Sequence, residues 1–477
     1  MDLIIDLHCH PSMKPFGHSF KADQQKQNPR PTSVACAWHH DRPTLLDKVV
    51  NFVAQLTKFR QSDFTSSRRG QVRLVVAALY PPERGFFVNQ LGTGPVGDVA
   101  LDLATGLGHQ RIQAIQRQQD YFLDLVAEYE FLRSLDGQTV TLPSGEKARY
   151  RLCGTRATVE AALQEPNTVA VLLSIEGAHA FGCGLDPTGR PADLATLQAH
   201  IRQVKAWPHC PLFITFAHHF FNELGGHAAS LTGIVAKFTN QSLGLGTGLT
   251  ELGRAVLREL LATTPGRRIL VDVKHMSRLC RQQFYALLDA EFAGQDIPVV
   301  ASHGAVTGSD ADRHLFWDFD INFYDEDLLR IARSGGLLGL QLDERRVGSP
   351  AALRKAKGHL QRRKILFHWA GLVWNQVQHV AELLDKHNLF AWGTLALGTD
   401  FDGIVDPING YWTHEELPLL SDYLLKHAHN YLTGSGNLSL TLAANRAVDA
   451  EEVVSRIMAD NALAFLLKYL PASSAAN

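Results

Sequence analysis

The segment Asp6-Leu7-His8-Cys9-His10 is the part of this chain best suited to chemistry. Its two histidines are two residues apart in an apolar, β-branched run, so they share one strand face with Ile4. Two imidazoles on one face suit a divalent ion better than a hydrophobic core. The pattern recurs. Thr168–Glu176 ends on Glu176, Arg268–His275 on His275, Ile297–His303 on His303 and Thr394–Asp400 on Asp400, while Pro211–His218 ends at the pair His218-His219. His275 alternates in phase with Ile269, Val271 and Val273, His303 with Ile297, Val299 and Ala301, and Asp400 with Thr394, Ala396 and Gly398. This phase is compatible with inward-pointing ligands without forcing it.

Neutral imidazoles and carboxylates suit a borderline ion such as zinc. His8, His10, Glu176, His275, His303 and Asp400 exceed the needs of one catalytic ion, and they match two ions sharing a carboxylate. Such a pair activates water and polarises a carbonyl, replacing a protein nucleophile. Ser174 and Ser302 adjoin candidate ligands, but neither lies in a GxSxG elbow, so a serine hydrolase is set aside. Cys9 alternates away from the two histidines and reads as packing, and Asp402 reads as a turn residue before Gly403.

The elements that must hold these residues are short apolar runs, the mark of buried parallel strands. Leu3–His10, Val72–Tyr80 and Gly336–Leu342 join the five runs above to make eight. Helical patterns lie between most of them. In Leu249–Thr263, Thr250 can cap the start and Leu252, Val256, Leu257, Leu260 and Leu261 form one stripe. Arg111–Leu135 and Val373–His387 also read as helices. Strand and helix in alternation predict an α/β fold, a (β/α)8 TIM barrel with insertions after strands 1, 2 and 7, in one domain over residues 1–477. Within it, 81–167 reads as an inserted helix and hairpin region, with the hairpin over Thr139–Leu152, and 345–375 as a basic helical insertion. The basic run Arg345–Lys364 reads as a solvated helix face.

A net charge of −2 excludes a global field for nucleic acid or membrane. The six cysteines form no CxxC pattern and read as free thiols in a reducing compartment. The N-terminus lacks the features of a signal peptide, and no run has the ~18 apolar residues of a membrane span. A cytoplasmic protein is expected, with a small-molecule substrate and no nucleic-acid or membrane partner; a homodimer is compatible with the sequence.

Taken in order, Asp6–His10, Ser174-Ile175-Glu176-Gly177-Ala178-His179, Thr215-Phe216-Ala217-His218, Gly248–Arg254, Val271-Asp272-Val273-Lys274-His275-Met276-Ser277, Ala301-Ser302-His303 and Gly398–Gly403 form a series that resembles the membrane (renal) dipeptidase family of the amidohydrolase superfamily. Ile457–Leu463 resembles that family's closing helix, so the resemblance runs to about residue 470. It implies a barrel with two zinc ions: His8 and His10 on one, His275 and His303 on the other, Glu176 bridging, and Asp400 contacting the first ion and moving a proton. His218 matches the histidine that stabilises the tetrahedral intermediate, with His219 as rival because alternation puts it on the opposite face.

Two positions depart from the family. His10 stands where an Asp is usual. Where the family has an Arg-Asn pair whose Arg holds the substrate carboxylate, this chain has Ile321-Asn322, and Arg313 is the nearest candidate replacement. The expected function is a two-zinc metallohydrolase that cleaves an amide or peptide bond of a small dipeptide-like substrate with water activated between the ions. The missing arginine motivates an alternative, an amidohydrolase acting on a lactone or cyclic amide. A catalytically inactive binding protein is the third reading, opposed by the competence of every candidate ligand.

Overall fold

The computed structural model describes residues 3–22, 25–54, 57–89, 93–309, 314–403, 406–434 and 438–473. Its strands are β1 Ile4–Cys9, β2 Val72–Leu79, β3 Val140–Thr141, β4 Lys147–Leu152, β5 Thr168–Glu176, β6 Phe213–Thr215, β7 Leu270–Asp272, β8 Val300–Gly304, β9 Leu337–Leu340 and β10 Leu395–Leu397. All eight apolar runs read from the sequence contain a strand. They order as β1-β2-β5-β6-β7-β8-β9-β10, and each neighbouring pair is parallel. The first and last strands meet through a parallel bridge, Cys9 to Phe401, flanked by Asp400 N–H to His8 O at 2.8 Å and His10 N–H to Phe401 O at 2.8 Å. The result is a (β/α)8 TIM barrel.

Ile4, Ile5, Leu74, Val75, Val169, Ala170, Phe213 and Ile214 are fully buried although neighbours alternate in direction, as expected when strands are covered on both faces. Inside, the packing is tight enough to require glycine. A Cβ on Gly339 or Gly398 would come within 1.9 or 2.1 Å of the Ser302 carbonyl oxygen.

The Thr250 hydroxyl accepts from Gly253 N–H and starts helix Glu251–Leu261, which buries Val256, Leu257, Leu260 and Leu261. The segment Arg111–Leu135 is two helices, His109–Gln116 and Tyr121–Arg133. The Asp120 carboxylate caps the second by accepting from Phe122 and Leu123 N–H, which fixes a break that carries no Gly or Pro. Val373–His387 is the C-terminal part of a longer helix, Arg362–Lys386. The hairpin is antiparallel β3 and β4, and β4 also pairs in parallel with Thr168–Val171 of β5. It therefore fills the lower half of the β5 edge whose upper end pairs with β6.

The region 345–375 forms helices Glu344–Val347, Pro350–Lys357 and the start of Arg362–Lys386. Arg354, Lys355, Arg362, Arg363 and Lys364 are exposed, as a solvated face requires. Arg346 is not: it is buried, and Arg345 is half-buried. The turn after β9 brings these two to the barrel mouth instead. All six cysteines are buried and free. Among the described residues no helix is long and apolar enough to cross a membrane.

Candidate metal centre

Glu176, the last residue of β5, sits at the centre of five imidazoles. Its Oε1 lies 3.3 Å from His8 Nε2, 3.6 Å from His218 Nε2 and 3.7 Å from both His275 Nε2 and His303 Nε2, and its Oε2 lies 3.0 Å from His10 Nε2. Asp400 Oδ1 is 3.8 Å from His8 Nε2 and 3.6 Å from His10 Nε2, and its Oδ2 is 3.8 Å from His303 Nε2. Two overlapping ligand groups result, His8, His10, Glu176 and Asp400, and Glu176, His275 and His303, each with its ligand atoms within 4.8 Å of one another. β1, β5, β8 and the segments just past β7 and β10 supply them. His275 and Asp400 adopt left-handed backbone conformations, φ +66° and +62°, that turn their side chains over the barrel mouth. Such conformations cost a non-glycine residue of order 1–3 kcal/mol and cluster where function demands them.

The donor set fits divalent ions. Nε2 of His8, His10 and His303 is buried and makes no hydrogen bond of acceptable geometry. Buried polar atoms without partners are rare, and three converging imidazole nitrogens of this kind fit a Lewis acid. Burial, with neighbouring imidazoles, holds His275 and His303 well below the ordinary histidine range, so both are neutral and competent ligands. Burial also opposes protonation of His10, but the Glu176 and Asp400 carboxylates outweigh it and push that imidazole up to about 10. A metal cation would answer the same two carboxylates. Glu176 is itself held well below the carboxylate range, since His218, His8 and His10 overcome the effect of burial.

A second layer orients the ligands. Ser302 Oγ lies 3.2 Å from His8 Nδ1 and 2.9 Å from His303 Nδ1, and donates to Asp272 Oδ2 at 2.5 Å. Asp272 also accepts from Thr215 Oγ1 at 2.8 Å and from the backbone N–H of Ser302 and Lys274. With its proton on Asp272, the Ser302 oxygen accepts from both imidazoles, which fixes the Nδ1–H tautomer and frees each Nε2. Asp6 plays a similar part on the backbone, accepting from His8 N–H and Thr399 N–H. Gln341 Nε2 donates to Asp400 Oδ2 at 2.7 Å.

His218 is clamped by Glu83, whose Oε2 is 2.7 Å from His218 Nδ1 and also accepts from Tyr80 Oη at 2.5 Å. Burial works against a charge on His218, but Glu83 and Glu176 raise it above the ordinary histidine range. His219 does not point to the opposite side. β6 ends at Thr215, so strand alternation has lapsed by His219, and the His219 ring also lines the cavity with Nδ1 2.6 Å from Ser230 Oγ.

The structure thus brings together His8, His10, Glu176, His218, His275, His303 and Asp400. Arg313 lies outside the described residues. Ile321 and Asn322 are buried, and Asn322 Nδ2 donates to the carbonyls of Trp317 and Arg346. Asp402 is structural: it pairs with Lys14 Nζ at 2.9 Å and accepts from Ser62 Oγ. Glu83, Ser302 with Asp272, Gln341 and Lys274 were not identified from sequence. Only the motif Asp272-Val273-Lys274-His275 carried a signal for any of them, a charged residue inside a buried strand end.

Above the ligands lies a cavity of about 330 Å³. Glu176, His218, His275 and Asp400 line it, as do Lys274, Gln341 and Arg346. Burial and the nearby Arg346 guanidinium pull Lys274 down to about 7, and burial pulls Arg346 down to about 10. Met13, Phe87, Leu101, Leu231 and Phe238 make much of the remaining wall.

A family model described as membrane dipeptidase (peptidase family M19) matches residues 38–433. No curated protein matches. Among solved structures, a metallo peptidase from Rhodobacter sphaeroides liganded with a phosphinate mimic of the dipeptide L-Ala-D-Ala is similar with a TM-score of 0.55 and 15% identity, over 98% of this chain and 99% of that one. The dipeptidase AC, a metallo peptidase of family M19, is similar with a TM-score of 0.50 and 18% identity, over 90% and 96%. Both share the barrel fold.

Proposed function

The chain belongs to the membrane dipeptidase family, peptidase family M19, and from that premise we propose that this metal-dependent hydrolase holds two zinc ions and cleaves the amide bond of a small dipeptide-like substrate. The observation that carries the reading is the convergence of His8, His10, His275, His303 and Asp400 on the single carboxylate Glu176, with three imidazole Nε2 atoms left without hydrogen bonds. His8 and His10 would hold one ion, His275 and His303 the other, and Glu176 would bridge them. When bound, the ions supply Lewis acidity and lower the pKa of water.

The chain's own residues carry the rest. Asp400 has Oδ2 engaged by Gln341, so Oδ1 faces the ligand cluster and is free to take a proton from the attacking water and later give it to the leaving amine. His218, its Nδ1 fixed on Glu83, presents Nε2 toward the cavity to donate to the oxyanion that develops from the carbonyl. The dipeptide mimic bound by the Rhodobacter sphaeroides structure supports a substrate of that size, as does the cavity volume of about 330 Å³.

Elemental analysis with activity on a dipeptide panel tests this. Two ions per chain are expected in the wild type and one in a His8→Ala, His10→Ala double variant without turnover. Hydrolysis that survives complete chelation, or full activity of the double variant, refutes it. Ile321, at the place where an arginine is expected, favours the second reading of a lactone or cyclic amide; faster turnover of those compounds than of any dipeptide would establish it.

A further inference from the structure

Lys274 and Arg346 are both buried, at 1% and 8% exposure, and both line the cavity above the metal ligands. Among the described residues Lys274 Nζ bonds only the carbonyl of Ile321 and Oε1 of Gln341, each at 3.5 Å. Arg346 donates from Nη2 to the Ser230 carbonyl at 2.5 Å. Among the described residues no carboxylate pairs with either. Asp343, the acid that acts most on Arg346, is engaged by Arg345 through Nε at 2.9 Å and Nη2 at 2.6 Å, and Asp272, which also acts on Lys274, accepts from Ser302 and Thr215. Asp400 is one of the candidate metal ligands.

Two buried basic groups lining one cavity are costly to keep charged unless an anion accompanies them. Both residues are tied to the Ile321-Asn322 segment: Lys274 Nζ rests on the carbonyl of Ile321, and the Asn322 side chain donates to the carbonyl of Arg346. Met13, Phe87, Leu101 and Phe238 line the same cavity and are apolar. The cavity therefore combines a basic pair with an apolar lining above the candidate metal ligands.

We infer that Lys274 and Arg346 form a carboxylate-binding corner that seats the C-terminal carboxylate of the substrate, while the apolar wall takes a bulky hydrophobic side chain on the acyl side of the scissile bond. The inference rests on the reading of this site as an amide hydrolase. It names the substrate class more narrowly, as dipeptides with a free carboxylate and an apolar first residue. Ile321 then excludes nothing, because the positive charge reaches its neighbourhood from β7 and from the turn after β9.

The test compares the zinc-loaded enzyme on Phe-Gly, Phe-Gly-amide and Gly-Gly. For the wild type, kcat/KM for Phe-Gly should exceed that for its amide by about 100-fold or more and that for Gly-Gly by about 10-fold or more. In Lys274→Met and in Arg346→Met the carboxylate-to-amide ratio should fall at least tenfold, chiefly through KM, and Arg346→Lys should recover part of it. Calorimetric titration with a phosphinate isostere of Phe-Gly and with its carboxamide supplies a readout independent of turnover, and the carboxylate form should bind more tightly by a similar factor. The wild-type ratio requires no variant, so misfolding of a substitution cannot hide the answer. Chelator-sensitive turnover of Phe-Gly and its amide at equal rates overturns the corner and leaves the hydrolase standing. Absence of chelator-sensitive turnover on all three compounds overturns the hydrolase reading and the corner with it.

Discussion

Removing one hydroxyl, Ser302→Ala, should weaken both ions at once. Ser302 Oγ is the shared acceptor for His8 Nδ1 at 3.2 Å and His303 Nδ1 at 2.9 Å, and these imidazoles belong to different ligand groups. Asp272, which receives the hydroxyl proton, keeps three other donors in Thr215 Oγ1 and the N–H groups of Lys274 and Ser302, so it remains satisfied. The loss falls on the two imidazole N–H groups, which would be left buried without acceptors. An unsatisfied buried donor costs about 1–3 kcal/mol, and loss of an outer partner of a ligating histidine typically weakens metal binding 10–100-fold, which corresponds to about 1.4–2.8 kcal/mol. The shorter bond is to His303, so the ion held with His275 should suffer more. Competition titration of zinc against a fluorescent chelator resolves the two steps. Ser174→Ala is the control: its hydroxyl is equally buried but has no partner, so its removal should change affinity less than about twofold. Ser302→Ala with both zinc affinities within twofold of the wild type would refute the argument that this hydroxyl sets the tautomers.

Further expectations concern catalysis and stability. His218→Asn should lower kcat by about 10²–10³ with KM little changed, the cost of a lost oxyanion donor, and Glu83→Gln, which leaves the ring but weakens its clamp, should lower it less; unchanged kcat in steady-state assays of both variants would remove His218 from the reaction. Lys14→Met should destabilise the fold by about 3–5 kcal/mol in denaturant titration, because Lys14 Nζ is the buried partner of Asp402 and also meets the carbonyl of Phe59 at 2.6 Å; a loss under 1 kcal/mol would contradict this. Burial pushes the Glu128 carboxyl up to about 7 from the ordinary 4.5. Its ionisation therefore costs stability as pH rises through that interval, up to about 3 kcal/mol above pH 7. Glu128→Gln should stabilise the protein at pH 8 and hardly at pH 4.5, since an amide can still accept from Tyr80 N–H and donate to Ser12 Oγ. Equal urea midpoint shifts at the two pH values would disprove it.

The convergence of the candidate ligands was legible in the sequence because a parallel barrel puts strong constraints on its strand ends. An apolar run that stops on His or Glu leaves few places for that side chain except the mouth. The strands and the helix begun by Thr250 were legible for the same reason, since periodicity and capping are local. Contacts between distant segments were not. Glu83 meets His218 across 135 positions and Ser302 meets His8 across 294, and neither pairing leaves a local mark. Arg346 looked like one more charge in a basic run, and only the turn after β9 separates it from Arg354 and Lys355, which face water. His219 was misplaced because alternation was carried past Thr215, where β6 has already ended.

The seam that closes the barrel has a consequence for when the site can exist at all. The bridge from Cys9 to Phe401 and the bonds from Asp400 N–H to His8 O and from His10 N–H to Phe401 O join the first strand of the barrel to the segment just past its last. His8 and His10 belong to one end of that seam, and Asp400, on the other, follows His10 by 390 residues. The candidate ligands His8, His10 and Asp400 therefore come together only where the barrel closes. Amide hydrogen exchange at His10 and Asp400 should report loading and ring closure as one event.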